Sequence, residues 1–490
     1  MKKIIIFLLL NSVNFYSQTK ISDIQQPENW SRFGATTALS GDGKILAISS
    51  PKTDESLGII KVYIRDGENW KEHGQNIKGR EHLSSVSETF GYRMELSYNG
   101  SFLLISDISS GHTKSGKVWV FKFNYTSKTW DKVGDSIVGK KPGDNSGNSI
   151  AISNDGKTIA ISSLYNKKYQ IDNDIITPVQ SGYVRVFKLN SNGTKYELFG
   201  QEITSILPHL KYGYLDYFGF SISLSGNGNY IAITSRGSVF IYEYKQINTR
   251  WSLSTRIDKL NEDDFYSRVW LSENAKVITL GMPVNYKQKN YKGYIASFNF
   301  DTISKIITKK GVIIGVDDYD YYGNYNSFSV SSDGNIVAIG TNNKITRVYN
   351  FLSNEWKLID NGIYNTAKNF GWSTSLSKNG TTLAVGAPNK ENTGFVSTYS
   401  TGLTSSSSYL STNSFTEKKV SISPNPVKKK LKIILKDNYK FHKLEVIDIN
   451  GKSLLKNNKP EINVSHLKQG IYILKIDLKN EMLFKKIIKL

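Results

Sequence analysis

A hairpin pattern repeats seven times between residues 19 and 402, and this repeat constrains the fold more than any other feature. Each copy has a short polar/apolar alternation, a turn and then a near-continuous apolar run. We align the copies on the apolar residue before the turn, here called the anchor. The anchors are Leu39, Leu96, Ile152, Leu224, Leu271, Val330 and Leu376. A pattern that recurs at the intervals between these anchors predicts stacked supersecondary units rather than independent domains.

The turn in each copy has its own signature. Six copies carry Gly four residues after the anchor, preceded by Asp or Asn, and Ala275 replaces the Gly in the fifth copy. Gly adopts positive φ without steric cost, and Asp or Asn favours the same tight turns. The best-kept copy spans residues 370–388, which begin with Phe-Gly and end with Gly-Ala-Pro. We therefore predict a β-hairpin in every copy.

Two further strands follow each hairpin. The run after the turn, such as residues 45–49, is apolar throughout, which is typical of a strand buried on both faces. A third strand begins near a Gly, and a fourth carries an aromatic residue followed by Gly and Ile, as in Trp70, Gly74 and Ile77. Four strands per unit predict an all-β fold, a seven-bladed β-propeller with four-stranded blades. The last copy has three strands, so we expect the segment containing Ile24 to supply the fourth and to close the ring.

The two ends of the chain have different compositions from the repeats. Residues 1–18 predict a cleaved secretory signal peptide, because Lys2 and Lys3 precede a short apolar run that cannot span a bilayer. No other stretch suggests a membrane helix. Residues 403–419 form a Ser/Thr-rich linker, and residues 420–490 are rich in Lys and Ile. Alternating strands at 430–436, 443–449, 471–478 and 483–490 predict a small Ig-like antiparallel β-sandwich.

Composition excludes several kinds of chemistry. The chain has no Cys, so disulfides, thiolate metal sites and cysteine nucleophiles are absent. None of its six His belongs to an HExxH motif, and it contains no G-x-S-x-G elbow, P-loop or Rossmann fingerprint. The net charge is +21, but residues 416–490 contribute 18 Lys against 7 acids. Because no patch interleaves Arg with aromatic residues, we expect no nucleic-acid partner.

The repeat resembles a known family. Phe370-Gly371 with Gly386-Ala387-Pro388 resembles the FG-GAP repeat of integrin α-subunit propellers, and residues 39–51 resemble its bacterial secreted version. The resemblance implies an adhesive propeller. Integrin-type blades hold calcium in Asp-rich loops, but no loop here has the required spacing around a Gly, so we expect no cofactor. The remaining calcium candidates are Asp172, Asp174, Asp317, Asp318 and Asp320.

The C-terminal region carries an ordered set of turn, strand and terminal residues. They include Pro424, Asn425, Pro426, Gly451, Lys452, Gly470, Tyr472, Lys486 and Lys489. With this set the region resembles the type A sorting domain of the type IX secretion system. The resemblance implies export by a Sec signal peptide, transfer across the outer membrane, and a secreted or cell-surface protein with the type IX machinery as partner. An ordinary Ig-like adhesive domain is the alternative.

Two tyrosine clusters are the candidate binding residues. They lie in irregular segments before the fourth and sixth copies, where propeller loops carry ligands, and Tyr suits sugars or proteins. The alternative is that these rings pack between blades. The clusters are Tyr212, Tyr214 and Tyr217, and Tyr319, Tyr321, Tyr322 and Tyr325.

The sequence thus predicts a secreted or cell-surface propeller that binds or adheres to an unknown extracellular protein or glycan and is not an enzyme. One alternative is a propeller-type polysaccharide hydrolase or lyase, and another is a structural spacer in a surface layer. Two or more carboxylates, or a His, converging in the central funnel would favour the enzyme. A shallow surface lined by Tyr and Asn would favour binding.

Overall fold

The computed structural model contains two compact units, residues Met1–Ser407 and Ser408–Leu490. It describes residues 18–25, 32–51, 58–79, 89–110, 114–164, 167–172, 175–180, 182–205, 217–235, 237–258, 268–283, 291–323, 327–389, 394–405, 420–435, 441–448, 453–478 and 482–490. The predicted signal peptide at 1–18 lies outside these ranges except for Gln18.

Every regular element in these ranges is a β-strand, as predicted. In the first unit the strands are β1 (Thr19–Gln25), β2 (Thr37–Leu39), β3 (Ile45–Ser50), β4 (Ile59–Asp66), β5 (Asn69–Glu72), β6 (Ile77–Lys78), β7 (Arg93–Leu96), β8 (Phe102–Asp107), β9 (Lys117–Asn124), β10 (Thr129–Lys132), β11 (Ile137–Val138), β12 (Ile150–Ile152), β13 (Thr158–Ser163), β14 (Lys167–Asp172), β15 (Ile175–Gln180), β16 (Tyr183–Leu189), β17 (Tyr196–Leu198), β18 (Ile203–Thr204), β19 (Ile222–Leu224), β20 (Tyr230–Ser235), β21 (Ser238–Lys245), β22 (Arg250–Ile257), β23 (Arg268–Leu271), β24 (Val277–Met282), β25 (Tyr294–Phe300), β26 (Ile307–Ile314), β27 (Phe328–Val330), β28 (Ile336–Gly340), β29 (Ile345–Leu352), β30 (Glu355–Tyr364), β31 (Ser373–Leu376), β32 (Thr382–Ala387) and β33 (Phe395–Ser400).

All of these strands except β14 and β15, which pair only with each other, form seven antiparallel sheets, numbered here in chain order. Sheets 1 to 3 are β2-β3-β4-β5, β7-β8-β9-β10 and β12-β13-β16-β17, and each gains a short extra strand, β6, β11 or β18. Sheets 4 to 6 are β19-β20-β21-β22, β23-β24-β25-β26 and β27-β28-β29-β30. Sheet 7 is β31-β32-β33-β1. The β14-β15 hairpin is an insertion in sheet 3 that the repeat pattern did not predict.

The first strand of every sheet ends at a predicted anchor residue. The turn follows, and the predicted Gly residues have positive φ, from 70° at Gly100 to 77° at Gly380. Ala275, which replaces Gly, also has positive φ, at 60°. The turn geometry is therefore kept even where the residue type is not.

The N-terminal strand closes the ring, as the sequence predicted. Strand β1 pairs antiparallel with β33, with Ile24 opposite Val396 and Gln25 opposite Phe395. Ile24 is buried against Phe33 and Leu46 of sheet 1 and Val396 of sheet 7. Sheet 7 is thus completed by a segment more than 370 residues away in sequence.

Backbone hydrogen bonds join the seven turns in a closed circle. In each case an amide near the turn of one sheet donates to a carbonyl in the turn of a neighbouring sheet, over 2.7–3.1 Å. The first strand of each sheet is therefore innermost, and the sheets are arranged radially around an axis. The donor and acceptor pairs are Asp42–Tyr98, Tyr98–Asn154, Asn154–Gly226, Gly226–Glu273, Glu273–Ser332, Ser332–Lys378 and Asn379–Gly41.

Apolar packing between sheets stabilises the ring. The second strands, such as β3 and β32, are buried along their whole length, as predicted. The Phe of the Phe-Gly pair is buried at Phe33, Phe90, Phe218 and Phe370, which lie at contacts between neighbouring sheets. Full burial of such a side chain contributes about 1.5–3 kcal/mol.

The second unit is all-β as well. Its strands are β34 (Val420–Ser423), β35 (Lys430–Leu435), β36 (Lys443–Ile447), β37 (Ser453–Asn457), β38 (Glu461–Asn463), β39 (Gly470–Asp477) and β40 (Met482–Lys489). They form sheets β34-β35-β38 and β37-β36-β39-β40 around one apolar core. The four predicted strands are present, whereas β34, β37 and β38 were not predicted. Over the described ranges of the chain, we find no helix with the length and apolar character needed to cross a membrane.

Candidate binding face at the mouth of the central channel

The seven inner strands surround a central channel. They run side by side in one direction, so the channel has two different ends. We call the end where the inner strands begin the mouth, and the end with the seven turns the turn end. The cavity between them has a volume of about 120 Å³. Small ligand pockets typically have about 300–1,000 Å³, so the channel itself admits only water, an ion or one chemical group.

A serine follows the anchor in every copy. Ser377 shows its role: its hydroxyl donates to Asn379 Oδ1 at 2.7 Å and accepts from the Thr382 amide at 2.9 Å. The equivalents are Ser40, Ser97, Ser153, Ser225, Ser272 and Ser331. This repeated bond fixes the turn, so the next residue, between the Ser and the Asp or Asn, is free to vary.

The variable residue after this serine contributes polar side chains to the turn end. In four sheets it is Tyr98, Asn154, Glu273 or Lys378. Lys378 Nζ donates to Asn154 Oδ1 at 2.7 Å, which joins sheets 7 and 3 across the axis. Burial lowers the pKa of Lys378, although Glu273 and Glu95 act to raise it. Burial likewise raises the pKa of Glu273, against the charge of Lys378 and a hydrogen bond with Asn154.

Farther toward the mouth, Glu95 lies among three cations. Burial raises the pKa of its carboxyl, whereas the charges of Lys378, Arg268 and Arg93 lower it. Arg93 and Arg268 occupy equivalent positions at the start of inner strands β7 and β23, three residues before their anchors. The channel lining therefore combines three basic and two acidic side chains.

Both arginines are supported from the side. Arg93 Nε donates to the Asn148 carbonyl at 3.3 Å, and its guanidinium lies 4.6 Å from the centre of the Tyr92 ring. The Arg268 guanidinium lies 5.5 Å from the centre of the Phe328 ring. Stacking on an aromatic face restrains the orientation of a guanidinium.

Next to Arg93, the mouth carries a pocket of about 290 Å³. Its lining includes Tyr92, Arg93, Tyr321, Asn342, Asn369 and Trp372. Trp372 is 54% exposed, although the large aromatic residues of the repeat pattern itself are mostly buried. A second groove, of about 360 Å³, lies on the other side of Trp372 and includes Arg32 and Lys368. An exposed indole thus belongs to two concave surfaces, each of which includes at least one basic side chain.

The predicted tyrosines separate into different environments. Tyr319 is exposed and Tyr321 lines the mouth pocket, and both stack on Tyr291 with ring centres 5.8 Å apart. Tyr217 packs against Phe220, which lines the channel. Tyr212, Tyr214 and Tyr325 lie outside the described residues.

Tyr322 requires a correction, because its side chain is fully buried. Its hydroxyl lies 3.1 Å from the Tyr349 hydroxyl and accepts from Arg347 Nη1 at 3.1 Å. It packs between sheets 5 and 6, the alternative considered for these rings, and it does not face a ligand.

The predicted calcium candidates are engaged in ion pairs where they are described. Buried Asp320 accepts from Arg347 Nη1 at 2.9 Å, and Asp317 accepts from Arg347 Nη2 at 2.5 Å. Asp318 lies 3.7 Å from Lys292 Nζ. Asp174 and the side chain of Asp172 lie outside the description. Within the described ranges, no group of three His, Asp or Glu side chains is arranged to hold a metal ion.

The predicted sorting residues are divided between the start and the end of the second unit. Asn425 Oδ1 accepts from the Ile488 amide at 2.9 Å, and Val427 exchanges backbone hydrogen bonds with Ile488 and Leu490. The segment Pro424-Asn425-Pro426 is thereby held against the C-terminal strand. The Tyr472 hydroxyl donates to the Lys468 carbonyl at 2.9 Å, and Lys489 is buried. Gly470 begins β39, whereas Gly451, Lys452 and the side chain of Lys486 lie outside the description.

Comparison with protein families identifies the second unit. Residues 421–490 match the secretion system C-terminal sorting domain. This match supports the predicted type IX sorting domain, and with it export to the cell surface or the extracellular space and an interaction with the type IX machinery. No curated protein matches the chain in sequence.

Comparison with solved structures identifies the fold of the first unit. The β-propeller domain of Cps50 (Swd1) from Myceliophteria thermophila has 12% identity and a TM-score of 0.50, covering 78% of this chain and 99% of that chain. A chain of the Mitotic Checkpoint Complex has 11% identity and a TM-score of 0.50, covering 81% and 98%. A putative 6-phosphogluconolactonase from Bacteroides uniformis has 13% identity, covers 68% and 85%, and reaches a TM-score of only 0.47. The first two confirm the predicted β-propeller fold.

Sequence reasoning missed the charged channel. Glu95, Glu273 and Lys378 lie next to the recurring anchor and serine, at positions that are uncharged in the other copies, so a charged residue at such a position was the usable signal. For Trp372, the signal was an aromatic residue directly after a Phe-Gly pair.

Proposed function

We propose that this chain is an exported, non-catalytic binding protein. Its propeller binds an extracellular ligand at the mouth of the central channel, and its C-terminal domain directs export by the type IX system. The observation that carries the proposal is the exposed Trp372 side chain, which lies between two pockets lined by Arg32, Lys368, Arg93 and Tyr321. Exposed aromatic surface of this kind marks interaction sites, and propeller loops are where ligands are held.

Replacing Trp372 tests the binding site. We expect Trp372→Ala to reduce binding of the secreted protein on an array of glycans and surface proteins by at least about tenfold, since an aromatic anchor commonly contributes 2 kcal/mol or more. Tyr125→Ala is the matched control, because Tyr125 is 69% exposed and follows β9 at the opposite end of sheet 2. Equal losses in both variants, or no loss in either, would contradict a binding site at the mouth. A wild type that binds nothing on the array would leave the structural spacer as the better explanation.

Removing the sorting domain tests the export route. A chain that lacks residues 420–490 should remain in the periplasm, because the signal peptide would still direct Sec export while the recognition element for the type IX step would be missing. Fractionation followed by immunoblotting measures the distribution, and resistance to limited proteolysis shows whether the trapped propeller is folded. Normal release of a folded, truncated protein into the medium would contradict the sorting role.

The second candidate is a polysaccharide hydrolase or lyase, and one specific observation favours it. Glu95 and Glu273 both line the channel, and burial raises both pKa values, as in a general acid. The small channel volume argues against it, because a sugar ring cannot enter to reach them. Release of reducing ends by the wild type, abolished in Glu95→Gln or Glu273→Gln, would favour the enzyme over the binding protein.

A further inference from the structure

The mouth pocket has a shape and composition that point to a ligand class. It holds about 290 Å³, roughly the size of one or two sugar units. Trp372 provides a broad apolar face, on which the C–H face of a sugar ring can pack. Asn342 and Asn369 lie in the same lining, and Asn369 Nδ2 already donates to the Pro388 carbonyl at 2.8 Å. Carboxamides have two N–H donors and an acceptor oxygen, which match hydroxyl groups. Arg93 forms the inner end of this pocket and also lines the channel.

The charges around this pocket are mainly positive. Arg32 and Lys368 lie on one side of Trp372, and Arg93 lies on the other, with Arg268 beyond it in the channel. The acid in the pocket lining is Asp320, and its carboxylate is already bound by Arg347 Nη1 at 2.9 Å and by the amides of Val316 and Asp317. In the channel, Arg93, Arg268 and Lys378 face Glu95 and Glu273. When all five are ionised, the cluster has one positive charge in excess.

Burial acts on the charges of both signs in this cluster. Desolvation raises the pKa of Glu95 and of Glu273, and it lowers the pKa of Lys378. The two arginines keep their charge under all ordinary conditions. A partly buried cluster with excess positive charge is complementary to a single negative group.

Two contacts restrain the orientation of Arg93. Its Nε is directed to the Asn148 carbonyl at 3.3 Å, and its plane is supported by the Tyr92 ring. A guanidinium that is already oriented loses less side-chain freedom on binding, and its planar fork matches a carboxylate.

We propose that the mouth pocket binds an acidic polysaccharide, with one uronic acid unit packed on Trp372 and its carboxylate paired with Arg93. This inference rests on the proposed function and specifies its ligand. A single-stranded nucleic acid fits less well, because such sites use a series of stacking rings along a basic groove, and here one exposed indole stands beside one pocket. An acidic peptide would satisfy Arg93 and leave the indole face without a matching ring.

Titration calorimetry of the whole secreted protein tests this inference. The probes are oligomers of galacturonate, glucuronate and mannuronate, each compared with its methyl ester, which keeps the ring and removes the charge. We expect at least one acid oligomer to bind about tenfold or more tightly than its ester, since hydrogen bonds to charged groups commonly have this effect. Binding should weaken as salt is added.

Variants locate the site. Trp372→Ala and Arg93→Gln should each weaken binding of that oligomer by about tenfold or more, and Arg93→Lys should recover part of the loss. Tyr125→Ala should leave it unchanged. Because Arg93 contacts Asn148 of the next sheet, thermal unfolding of each variant is compared with the wild type, and exposed Trp372 provides a variant without that structural role.

The possible outcomes distinguish failure of the acidic ligand from failure of the binding site at the mouth. Equal binding of acid and ester, lost in Trp372→Ala, would overturn the acidic ligand and retain the mouth as a binding site. No binding of any of the three acid oligomers, or tighter binding of polyglutamate or oligothymidylate, would also overturn the acidic polysaccharide. Binding of an acid oligomer that neither Trp372→Ala nor Arg93→Gln weakens would overturn the site itself.

Discussion

Glu95 is the residue at which burial and charge pairing are most directly opposed. Its carboxyl is surrounded by inner strands, and three basic side chains, Lys378, Arg268 and Arg93, act on it. The net effect raises its pKa, so desolvation exceeds the attraction of the three cations. Burying an ionisable side chain of this kind costs stability unless it is well paired.

The opposition between burial and charge pairing predicts that the effect of Glu95→Gln on stability depends on pH. Because the folded-state pKa is raised above the ordinary value of 4.5, the folded wild type binds more protons than the unfolded chain just above that pH. Wild-type stability therefore falls as pH rises through the raised pKa, whereas Gln does not titrate. The melting temperature of the variant minus that of the wild type should be smallest near pH 4 and should increase toward pH 7.

Melting curves between pH 4 and 8 measure this difference. Glu197→Gln is the control, because Glu197 is a surface residue paired with Lys195 and should show little change. A variant that becomes less stable than the wild type as pH rises would mean that the pairing with Lys378, Arg268 and Arg93 outweighs desolvation.

At the level of the strand, one contact recurs between the outer strands of neighbouring sheets. A Gly after the fourth strand of one sheet lies under the Trp of the next, at Gly74 with Trp130 and Gly200 with Trp251. The indole N–H of Trp251 donates to the Phe199 carbonyl at 2.8 Å, directly beside this Gly. The sequence spacing of aromatic, Gly and Ile is thus explained by contacts between sheets rather than within one.

We expect Gly200→Ala to destabilise the fold more than Gly193→Ala. Both residues belong to sheet 3 and have positive φ, 81° and 70°, so each substitution carries a similar backbone strain of about 1–2 kcal/mol. A Cβ at Gly200 would meet Trp251 Cδ1 at 2.8 Å, whereas none of the neighbouring heavy atoms lies within 4 Å of a Cβ at Gly193. The overlap should add about 1–3 kcal/mol.

Urea unfolding monitored by tryptophan fluorescence provides the comparison. Gly193→Ala measures the backbone strain alone, so the difference between the two variants isolates the contact with Trp251. Equal unfolding midpoints would show that the indole moves aside at no cost and that the recurring Gly is required only for its backbone conformation.

For the whole propeller, the decisive contact is the pairing of β1 with β33. It joins the first described strand to the last sheet, and Ile24 fills a space between sheets 7 and 1. Without it, β33 would present an unpaired edge. Closure therefore depends on a segment that lies immediately after the predicted signal peptide.

We expect Ile24→Asp to open this junction, because it places an unpaired carboxylate where an apolar side chain is buried. Hydrogen exchange followed by mass spectrometry should show faster exchange in β33, with β20 and β21 of sheet 4 little changed. Gln25→Asp is the control, since Gln25 is the neighbouring exposed residue of the same strand. Unchanged protection of β33 in Ile24→Asp would mean that backbone pairing alone keeps the ring closed.

Much of the architecture could be predicted from local patterns. The anchors, the turn Gly residues and the buried second strands repeat because every sheet packs against its neighbours in the same way. The repeat pattern did not predict the β14-β15 hairpin, which has no counterpart in the other copies. Strands β34, β37 and β38 were also missed, and they lie in the second unit, outside the repeat. The sequence also failed to predict the burial of Tyr322. A Tyr-rich segment does not indicate which of its rings faces solvent and which packs beside a residue such as Arg347.

The sequence by itself determined the repeat, its all-β character, the closing strand and the sorting domain, because each depends on residues that lie close together or recur at a fixed spacing. Only the tertiary structure decided the candidate site. Arg93, Glu95, Arg268, Glu273 and Lys378 come from sheets 2, 5 and 7, and they meet because ring closure brings their inner strands to one axis. Trp372 and Tyr321 likewise share a pocket because their sheets are neighbours in the ring.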